Sequence, residues 1–347
     1  MDNILAIDIG AGTQDILFYN NKTNIENCIS MVLPSPTHIL SQRVAAIKEN
    51  LLLTGDTIGG GPLVKSLKKH LKQDYRVVME ESCAYTVRDN LDEVRALGIR
   101  IGNQGEAAYF KRIHCQEIDI VLFLNFLEKL GVYFPIDLVA IALQDHGSSQ
   151  EGLPDRKFRF KMIEERLRND AHIYSQAFRD NEVPLCYKRM QSAVNAAQRD
   201  IGKPVLIMDS AFSAIAGAAE NREGPYMIVN IGNGHTVAAI VFNGRIDAFM
   251  EHHTKRLTTE KLIILLERFS RGQISNEEIY EDQGHGFVSF ASYEPLELKD
   301  IIVTGPNRDK LKDTPLNVTF AAPGGNMMMT GPVGLIRSAS RLYPINK

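Results

Sequence analysis

One short pattern occurs twice in this sequence, first at Ala6–Asn20 and again at Ile228–Asn243. Each copy reads as an apolar strand, a Gly-x-Gly turn and a second apolar strand. The matched positions are Asp8 and Asn230, Gly10 and Gly232, and Gly12 and Gly234. Two copies in matching contexts predict a duplicated hairpin with a shared purpose, because a single Gly-x-Gly is common in ordinary turns.

The residue types of this hairpin suit phosphate binding. Glycine allows positive φ and a close approach of the backbone to a ligand. Successive N–H groups of such a turn can point into one concavity and bind an anion. A carboxylate at the end of the strand, here Asp8, can hold a hydrated Mg²⁺ beside the phosphates. The alternative is a pair of ordinary hairpins, in which Asp8 only caps its own turn.

Length and composition indicate a soluble globular protein of two domains, which we place at 1–150 and 151–347. The net charge of −3 argues against general affinity for nucleic acid or for anionic membranes. Apolar runs such as Ile118–Phe126 are too short to span a bilayer. The first strand begins almost at once, which leaves no room for a signal peptide, so we expect a cytoplasmic protein.

Strands and helices alternate along both halves, which predicts an α/β fold with a central sheet in each half. Folds of this kind commonly bind a ligand in the cleft between the halves. We expect one long amphipathic helix at Lys157–Phe178, with the charged run Lys157–Arg168 on its solvated face.

Three elements occur in a characteristic order: I-D-I-G-A-G-T around Asp8–Thr13, V-N-I-G-N-G-H-T around Asn230–Thr236, and I-I-V-T-G-P-N-R at Ile301–Arg308. In this order they resemble the two phosphate motifs and the adenosine motif of the actin, Hsp70 and sugar-kinase ATPase superfamily. The resemblance implies two ribonuclease-H-like domains that close on ATP and Mg²⁺. The stretch Val205–Gly217 resembles the connecting element that precedes the second phosphate motif, and Thr330–Ser338 resembles the closing helix.

The resemblance also implies roles for individual residues. Asp8 would position Mg²⁺ through water. Phosphate would be bound by Gly10, Gly12 and Thr13 of the first hairpin and by Gly232, Gly234 and His235 of the second. Gly305 would approach the adenine and Arg308 would stack on it, since a planar guanidinium suits an aromatic face. The alternative for Arg308 is a solvated side chain in a charged stretch.

Asp209 follows the strand that leads to the second phosphate motif. The resemblance implies that it acts as general base or orients an attacking water. It could equally cap the helix that begins at Ser210, and both roles are compatible. Most hydrolysing members of the superfamily have aspartate where this chain has Asn230. Because asparagine adds no charge to a metal site, fast hydrolysis is not expected.

The chain also resembles a microbial family of this fold that carries the label of a pyruvate formate-lyase activating enzyme. Such activases are radical enzymes that need three closely spaced cysteines for a 4Fe–4S cluster. The four cysteines of this chain are Cys28, Cys83, Cys115 and Cys186. Their spacing does not supply that cluster, so the sequence argues against the labelled activity.

Two functions from different classes follow. The first is an ATP-dependent phosphotransferase or ATPase that acts on a small metabolite, with Asp209 as base. The second is a nucleotide-dependent switch or binding protein with weak or no hydrolysis, which a partner protein would recognise. A homo-oligomer is left open as well. A protein that keeps the fold for another ligand is a third alternative.

Five histidines lie beside glycine or carboxylate in loop-like contexts: His146, His235, His252, His253 and His285. If the fold gathers several of them in the cleft, they could bind a transition metal or accept a phosphoryl group. No two have a recognised metal-ligand spacing, and a lone histidine more often has a structural role. The sequence leaves both alternatives open.

Overall fold

The computed structural model describes residues 1–102, 104–149, 152–219, 225–290 and 301–343. In chain order the strands are β1 Asn3–Ile9, β2 Thr13–Asn20, β3 Ile29–Pro34, β4 Leu51–Gly55, β5 Val77–Met79, β6 Arg100–Ile101, β7 Lys111–Cys115, β8 Leu138–Leu143, β9 Ala177–Arg179, β10 Val205–Met208, β11 Tyr226–Ile231, β12 His235–Phe242, β13 Arg245–His253, β14 Gly286–Ser289, β15 Ile301–Thr304 and β16 Val318–Phe320. The α-helices are α1 Pro36–Ala46, α2 Gly61–Leu71, α3 Glu81–Ala84, α4 Leu91–Ala96, α5 Ile120–Lys129, α6 Asp155–Asn169, α7 Lys188–Ile201, α8 Ser210–Ala218, α9 Thr259–Ser270, α10 Asn276–Glu281 and α11 Thr330–Leu342.

Two six-stranded sheets repeat one topology. The first has the order β3-β2-β1-β8-β10-β9 and the second the order β14-β13-β12-β11-β15-β16. In each, the first strand of the duplicated hairpin is central and pairs antiparallel with its hairpin partner. On its other side it pairs parallel with a later strand, and a further parallel strand follows. If the five strands common to both sheets are numbered along the chain, each sheet has the order 3-2-1-4-5, and its strands 1, 4 and 5 are parallel.

This duplicated order is that of two ribonuclease-H-like units, so the predicted α/β class and actin-like ATPase fold are confirmed. The predicted division into 1–150 and 151–347 stays a prediction, and its boundary residues lie outside the described ones. The first sheet carries strands from both sides of that division, because β9 and β10 pair beside β8.

A third sheet, which the sequence did not predict as a separate unit, lies between β3 and β8 in the chain. Its order is β6-β5-β4-β7 and all its pairs are parallel. It has its own apolar core with α1 and α2, built from residues such as Leu40, Leu53 and Leu67. The segment from β4 to β7 is therefore an insertion in the first ribonuclease-H-like unit.

The two large sheets share one core. Apolar side chains of β1 and β8 lie in the same cluster as those of β11, β12 and β15, together with α6, α8 and α11. Helix α11 packs on β1 and β8 of the first sheet, whereas α8 packs mainly on β11 and β15 of the second sheet and also contacts β1 and β8. Among the described helices, none has the length and apolarity needed to cross a membrane.

Helices α8 and α11 cross in direct backbone contact. A Cβ atom on Gly217 would lie 1.7 Å from the carbonyl oxygen of Thr330, and one on Gly334 would lie 1.9 Å from that of Ser213. Real Cβ atoms do not approach this closely, so glycine is required at both positions.

We expect Gly334→Ala to lower the free energy of unfolding by about 3 kcal/mol or more, because the helices must separate to admit the methyl group. Alanine has the higher helix propensity, so a loss of stability would have to come from this overlap. Gly61→Ala is the matched control, since a Cβ there meets nothing within 4 Å. Urea unfolding of both variants checks this, and equal stabilities would contradict the packing argument.

The predicted helix at Lys157–Phe178 is wrong in its second half. Helix α6 ends at Asn169, and Phe178 lies in strand β9. The Asp170 carboxylate accepts the backbone N–H of His172 at 2.9 Å, a local turn that competes with helix continuation.

Candidate functional site

A cavity of about 570 Å³ lies where the carboxyl ends of β1, β8, β11 and β15 meet. Its volume is within the usual range of small-molecule sites. Of the residues predicted from the sequence, those that line it are Asp8, Gly10, Thr13, Gly232, Gly234, His235 and Gly305. Three other predicted residues are not among its described lining: Gly12, Asp209 and Arg308. The fold thus brings the two glycine hairpins to one cavity.

The two hairpins have the same turn and face each other. Gly10 N–H donates to the carbonyl of Thr13 at 2.8 Å, and Gly232 N–H donates to that of His235 at 2.9 Å. A Cβ on Gly12 would lie 2.6 Å from Nδ2 of Asn233, in the opposite turn. Gly12 therefore permits the contact between the hairpins, and this contact requires glycine at position 12 although the residue does not line the cavity.

Carbonyl groups of both turns are held from outside. Ser35 donates its N–H to Gly12 and its hydroxyl to Ala11, at 3.0 and 3.2 Å. Thr254 donates its hydroxyl to the carbonyl of Gly232 at 2.8 Å and its N–H to that of Gly234 at 3.0 Å. In a trans peptide the carbonyl of one residue and the N–H of the next residue point in opposite directions. The N–H groups of residues 12, 13, 233 and 235 therefore point away from these anchors.

Asp8 and Asp15 form a cross-strand pair on one face of the first hairpin. Each has a buried Oδ1 that has no hydrogen-bond partner in the described part of the chain. Burial, followed by the charges of Asp15 and Asp209, raises the pKa of Asp8 well above its usual value. Burial also raises the pKa of Asp15 to about 7. A bound cation would satisfy these two buried oxygen atoms, which have no hydrogen-bond donor in the metal-free protein.

The pKa of Asp15 gives a pH prediction for the metal-free protein. An unfolded aspartate titrates near 3.8, so the folded state keeps a proton up to about pH 7 that the unfolded state has released. The stability gained is lost as the pH rises, and we expect the free energy of unfolding to fall by roughly 2–3 kcal/mol between pH 5 and 8. Asp15→Asn should reduce this slope, with the raised pKa values of Asp8 and Asp89 still contributing, whereas the exposed Asp92→Asn should leave it unchanged. Urea unfolding at both pH values checks this, and parallel curves would contradict it.

Gly305 follows β15 with φ +96°, and a Cβ there would lie 2.5 Å from Oδ1 of Asn230. It packs on the second hairpin and also lines the cavity. Asn307 adds a further anchor, since its Nδ2 donates to the carbonyl of Gly232 at 3.0 Å. Arg308 begins a short 3₁₀ helix behind this loop. The predicted stacking of Arg308 on adenine stays a prediction.

Asp209 caps α8, as the alternative in the sequence analysis predicted, by accepting the N–H of Ala211 at 2.9 Å. Both of its oxygens also accept from Arg159, at 2.7 and 3.1 Å. The Nε of Arg159 donates to Glu251 of β13 at 2.9 Å. All three charged side chains are buried. Arg159 thus corrects the expectation of a solvated face at Lys157–Arg168, and the role of Asp209 as base stays a prediction.

Four of the five histidines are gathered beside the second hairpin: His146, His235, His253 and His285. The fifth, His252, instead contacts Asp282 at 2.9 Å. Burial and then the charge of Arg159 lower the pKa of His146 to about 4. Burial also lowers the pKa values of His235, His253 and His285. These imidazoles are therefore neutral near pH 7.

Sequence reasoning missed several lining residues, because no motif marks them. Asp145 follows β8, and its carboxylate accepts the N–H groups of Gly147 and Met190 at 2.9 and 3.0 Å. The far wall is built by 57–62 and 85–89, next to the third sheet. On this wall burial, with the charges of Asp145 and Asp155, raises the pKa of Asp89 to about 6. Two signals were available, the polar run after the buried strand β8 and the glycine run Gly59–Gly61 before Pro62.

Two glycine hairpins that face each other over a buried carboxylate, on two sheets of the same order, define a protein of the actin-like ATPase fold. A family described as "Putative pyruvate format-lyase activating enzyme (DUF1786)" matches residues 58–310, and the chain belongs to this family. No curated protein matches the sequence. The four cysteines are free, with Cys83 and Cys115 in the core of the third sheet and Cys28 and Cys186 packed elsewhere.

Solved structures of low sequence identity align along nearly the whole chain. The inorganic polyphosphate/ATP-glucomannokinase of Arthrobacter sp. strain KM is 12% identical, with 98% of this chain and 100% of that one covered and a TM-score of 0.38. The PilM–PilN type IV pilus biogenesis complex is 12% identical, covering 96% and 98%, with a TM-score of 0.41. A protein of Bacteroides thetaiotaomicron VPI-5482 with actin-like ATPase fold is 10% identical, covering 96% and 95%, with a TM-score of 0.37.

Proposed function

We propose that this protein binds a magnesium–nucleotide, with ATP as the reference ligand, between its two glycine hairpins. The observation that carries this proposal is the convergence of both hairpins on one cavity beside the unpartnered Oδ1 of Asp8. The anchored carbonyls turn the N–H groups of Thr13, Asn233 and His235 away from Ser35 and Thr254, and we infer that these groups face the phosphate. Main-chain N–H groups arranged in this way form an anion site without any lysine or arginine.

The residues present fit Mg²⁺ at Asp8. A buried carboxylate oxygen without a donor is a hard oxygen ligand of the kind that Mg²⁺ prefers. Asp15 lies opposite on the adjacent strand and adds a second carboxylate on the same face. Glycine is required at position 331 to make room for the Asp8 carboxylate, because a Cβ there would lie 1.9 Å from Oδ2 of Asp8. When bound, Mg²⁺ supplies positive charge next to the phosphates.

Titration calorimetry of the full chain with a non-hydrolysable ATP analogue and Mg²⁺ tests this proposal. ADP and GTP, titrated in the same way, rank the nucleotides. Saturable binding with a dissociation constant at or below roughly 10 µM, about −7 kcal/mol, is the expected result. Absence of binding by all three nucleotides would overturn the proposal.

For the reaction, we propose transfer of the terminal phosphoryl group to a small acceptor or to water. The wall at 57–62 and 85–89 leaves space for an acceptor at the end of the cavity away from the hairpins. Asp209 would act as base only after it is released from Arg159, because both of its oxygens accept hydrogen bonds from that guanidinium. Asp89, on the acceptor wall, is a second candidate for the base.

The contacts of Asp209 favour a second candidate function, a nucleotide-dependent switch with slow hydrolysis. A base engaged by a buried guanidinium contributes little proton transfer, and Asn230 adds no charge to the metal side of the cavity. Nucleotide binding would then change the relative orientation of the two large sheets, and a partner protein would recognise this change. Measured phosphate release, with and without candidate acceptors, separates a phosphotransferase from a switch.

Asn230→Asp tests whether metal binding limits hydrolysis. Asn230 occupies in the second sheet the position that Asp8 occupies in the first, and it lines the cavity. We expect the added carboxylate to raise Mg²⁺-dependent phosphate release about tenfold, which corresponds to about 1.4 kcal/mol. Asn181→Asp, on the surface, should leave the rate unchanged. An unchanged rate for Asn230→Asp would exclude metal charge as the limiting factor.

A further inference from the structure

The gathered histidines come from four separate elements of the chain. His146 follows β8, His235 begins β12, His253 ends β13, and His285 immediately precedes β14. The ring centroids are 5.3 Å apart for His146 and His285, 4.7 Å for His235 and His285, 4.9 Å for His235 and His253, and 4.7 Å for His253 and His285. The phosphate-binding role proposed for the hairpins does not require four imidazoles so close together.

Three of these histidines have the donor spacing of a metal site. One ring nitrogen each of His146, His235 and His285 lies within 4.8 Å of the other two. The Nε2 atoms of His146 and His285 are 3.2 Å apart. Nitrogens that share a tetrahedral Zn²⁺ at its usual bond length are separated by about 3.3 Å. The closest pair is therefore already at ligand separation.

Glu251 faces the Nδ1 edges of two of the rings, those of His235 and His285. Its Oε1 is 3.8 Å from Nδ1 of His235 and 3.9 Å from Nδ1 of His285. Nδ1 of His285 is buried and finds no hydrogen-bond partner among the described residues. Metal-binding histidines usually donate their second N–H to a carboxylate, which turns the other nitrogen to the metal. The ring of His285 already has this orientation, with Nδ1 on the side of Glu251 and Nε2 toward His146.

The local charge also favours a cation. Asp209 and Glu251 carry two negative charges and Arg159 carries one positive charge, so this buried group retains one net negative charge. Imidazole nitrogens suit first-row transition metals, whereas Mg²⁺ prefers oxygen.

We propose that His146, His235 and His285 bind one divalent first-row transition metal, with Zn²⁺ as the reference ion, and that Glu251 orients the rings of His235 and His285. This site is separate from the magnesium site at Asp8 and does not rest on nucleotide binding. His146 and His235 line the cavity, so the metal would lie in its wall.

Titration of the chelator-treated full chain with Zn²⁺, and with Co²⁺ as a spectroscopic probe, tests the proposal. We expect one equivalent of Zn²⁺ to bind with a dissociation constant of roughly 1 µM or below, about −8 kcal/mol or stronger. Co²⁺ should give the visible absorption of a tetrahedral nitrogen site. Binding that is absent, or far weaker and without this absorption, would overturn the proposal.

Single substitutions distinguish a specific metal site at these histidines from adventitious binding at the surface. His285→Gln and His235→Gln should each weaken Zn²⁺ binding at least 100-fold, which corresponds to about 2.7 kcal/mol. His38→Gln on the exposed face of α1 is the matched control and should bind as the natural protein does. Equal affinity in all of these proteins would refute the assignment. His235 is partly accessible, so its variant remains informative if the His285 variant fails to fold.

Asp8→Asn distinguishes this inference from the proposed function. It should leave Zn²⁺ binding intact, because Asp8 is not part of the histidine group. A chain that binds Zn²⁺ but no nucleotide would support the metal site alone. A chain that binds nucleotide but no Zn²⁺ would support the proposed function and overturn the metal site.

Discussion

Replacing Arg159 with methionine is expected to lower the free energy of unfolding by about 3–5 kcal/mol, the cost of leaving buried charges without their partner. The guanidinium contacts Asp209 at the start of α8 and Glu251 on β13, and both carboxylates are buried. Burial opposes ionisation of Glu251, but the charge of Arg159 outweighs it and lowers the pKa of this carboxyl. Without Arg159, the two acids must take up protons or expose themselves to water.

Arg168→Met on the same helix is the matched control. Arg168 pairs with Glu164 one turn away, and both side chains are exposed, so the loss should be below about 1 kcal/mol. Urea unfolding of the two variants measures the difference. A further variant that combines Arg159→Met with Asp209→Asn and Glu251→Gln should recover part of the lost stability. Equal losses for Arg159→Met and Arg168→Met would show that the buried ion pairs are not needed for folding.

Asp8→Asn is expected to weaken the binding of the magnesium–nucleotide at least 100-fold, or about 2.7 kcal/mol. The substitution keeps the shape of the side chain and removes the negative charge that a cation needs. Because the carboxylate of Asp8 is buried with a raised pKa, its removal should not destabilise the metal-free fold. The effect should therefore appear in ligand binding and not in thermal stability.

Calorimetry with and without Mg²⁺ isolates the cause. In excess chelator, the natural protein and Asp8→Asn should bind the nucleotide equally weakly, because both lack the metal. Asp92→Asn, on the exposed surface of α4, should behave as the natural protein in both conditions. Equal affinity of Asp8→Asn and the natural protein in Mg²⁺ would mean that Asp8 holds no metal for the nucleotide.

The hairpins could be predicted from the sequence because their determinants are local. Gly10 and Gly232 mark turns inside continuous apolar runs, and strand pairing follows directly from such turns. The order of motifs along the chain was enough to predict the duplicated fold. The role of Gly12 was less accessible, because the reason for glycine there is the opposite hairpin, more than two hundred residues away in the chain.

The centre of the site could not be predicted in the same way. Arg159 stands in a run of charges that is typical of a solvated face, and helical periodicity alone does not reveal that this one side chain turns inward. The histidines at positions 146, 235 and 285 meet only because β8, β12 and β14 belong to sheets that share a core. Long-range pairing of strands brings such residues together, and no local spacing encodes it.

The glycine contact between α8 and α11 has a mechanical consequence. No side chain separates the helices at the glycine contacts, where α11 lies on the first sheet and α8 lies mainly on the second. A rotation of one sheet against the other about this crossing would meet little steric resistance, since no large group must change rotamer there. The turns of the two hairpins meet at Gly12 and Asn233, so such a rotation would change how closely the two phosphate-binding turns approach each other.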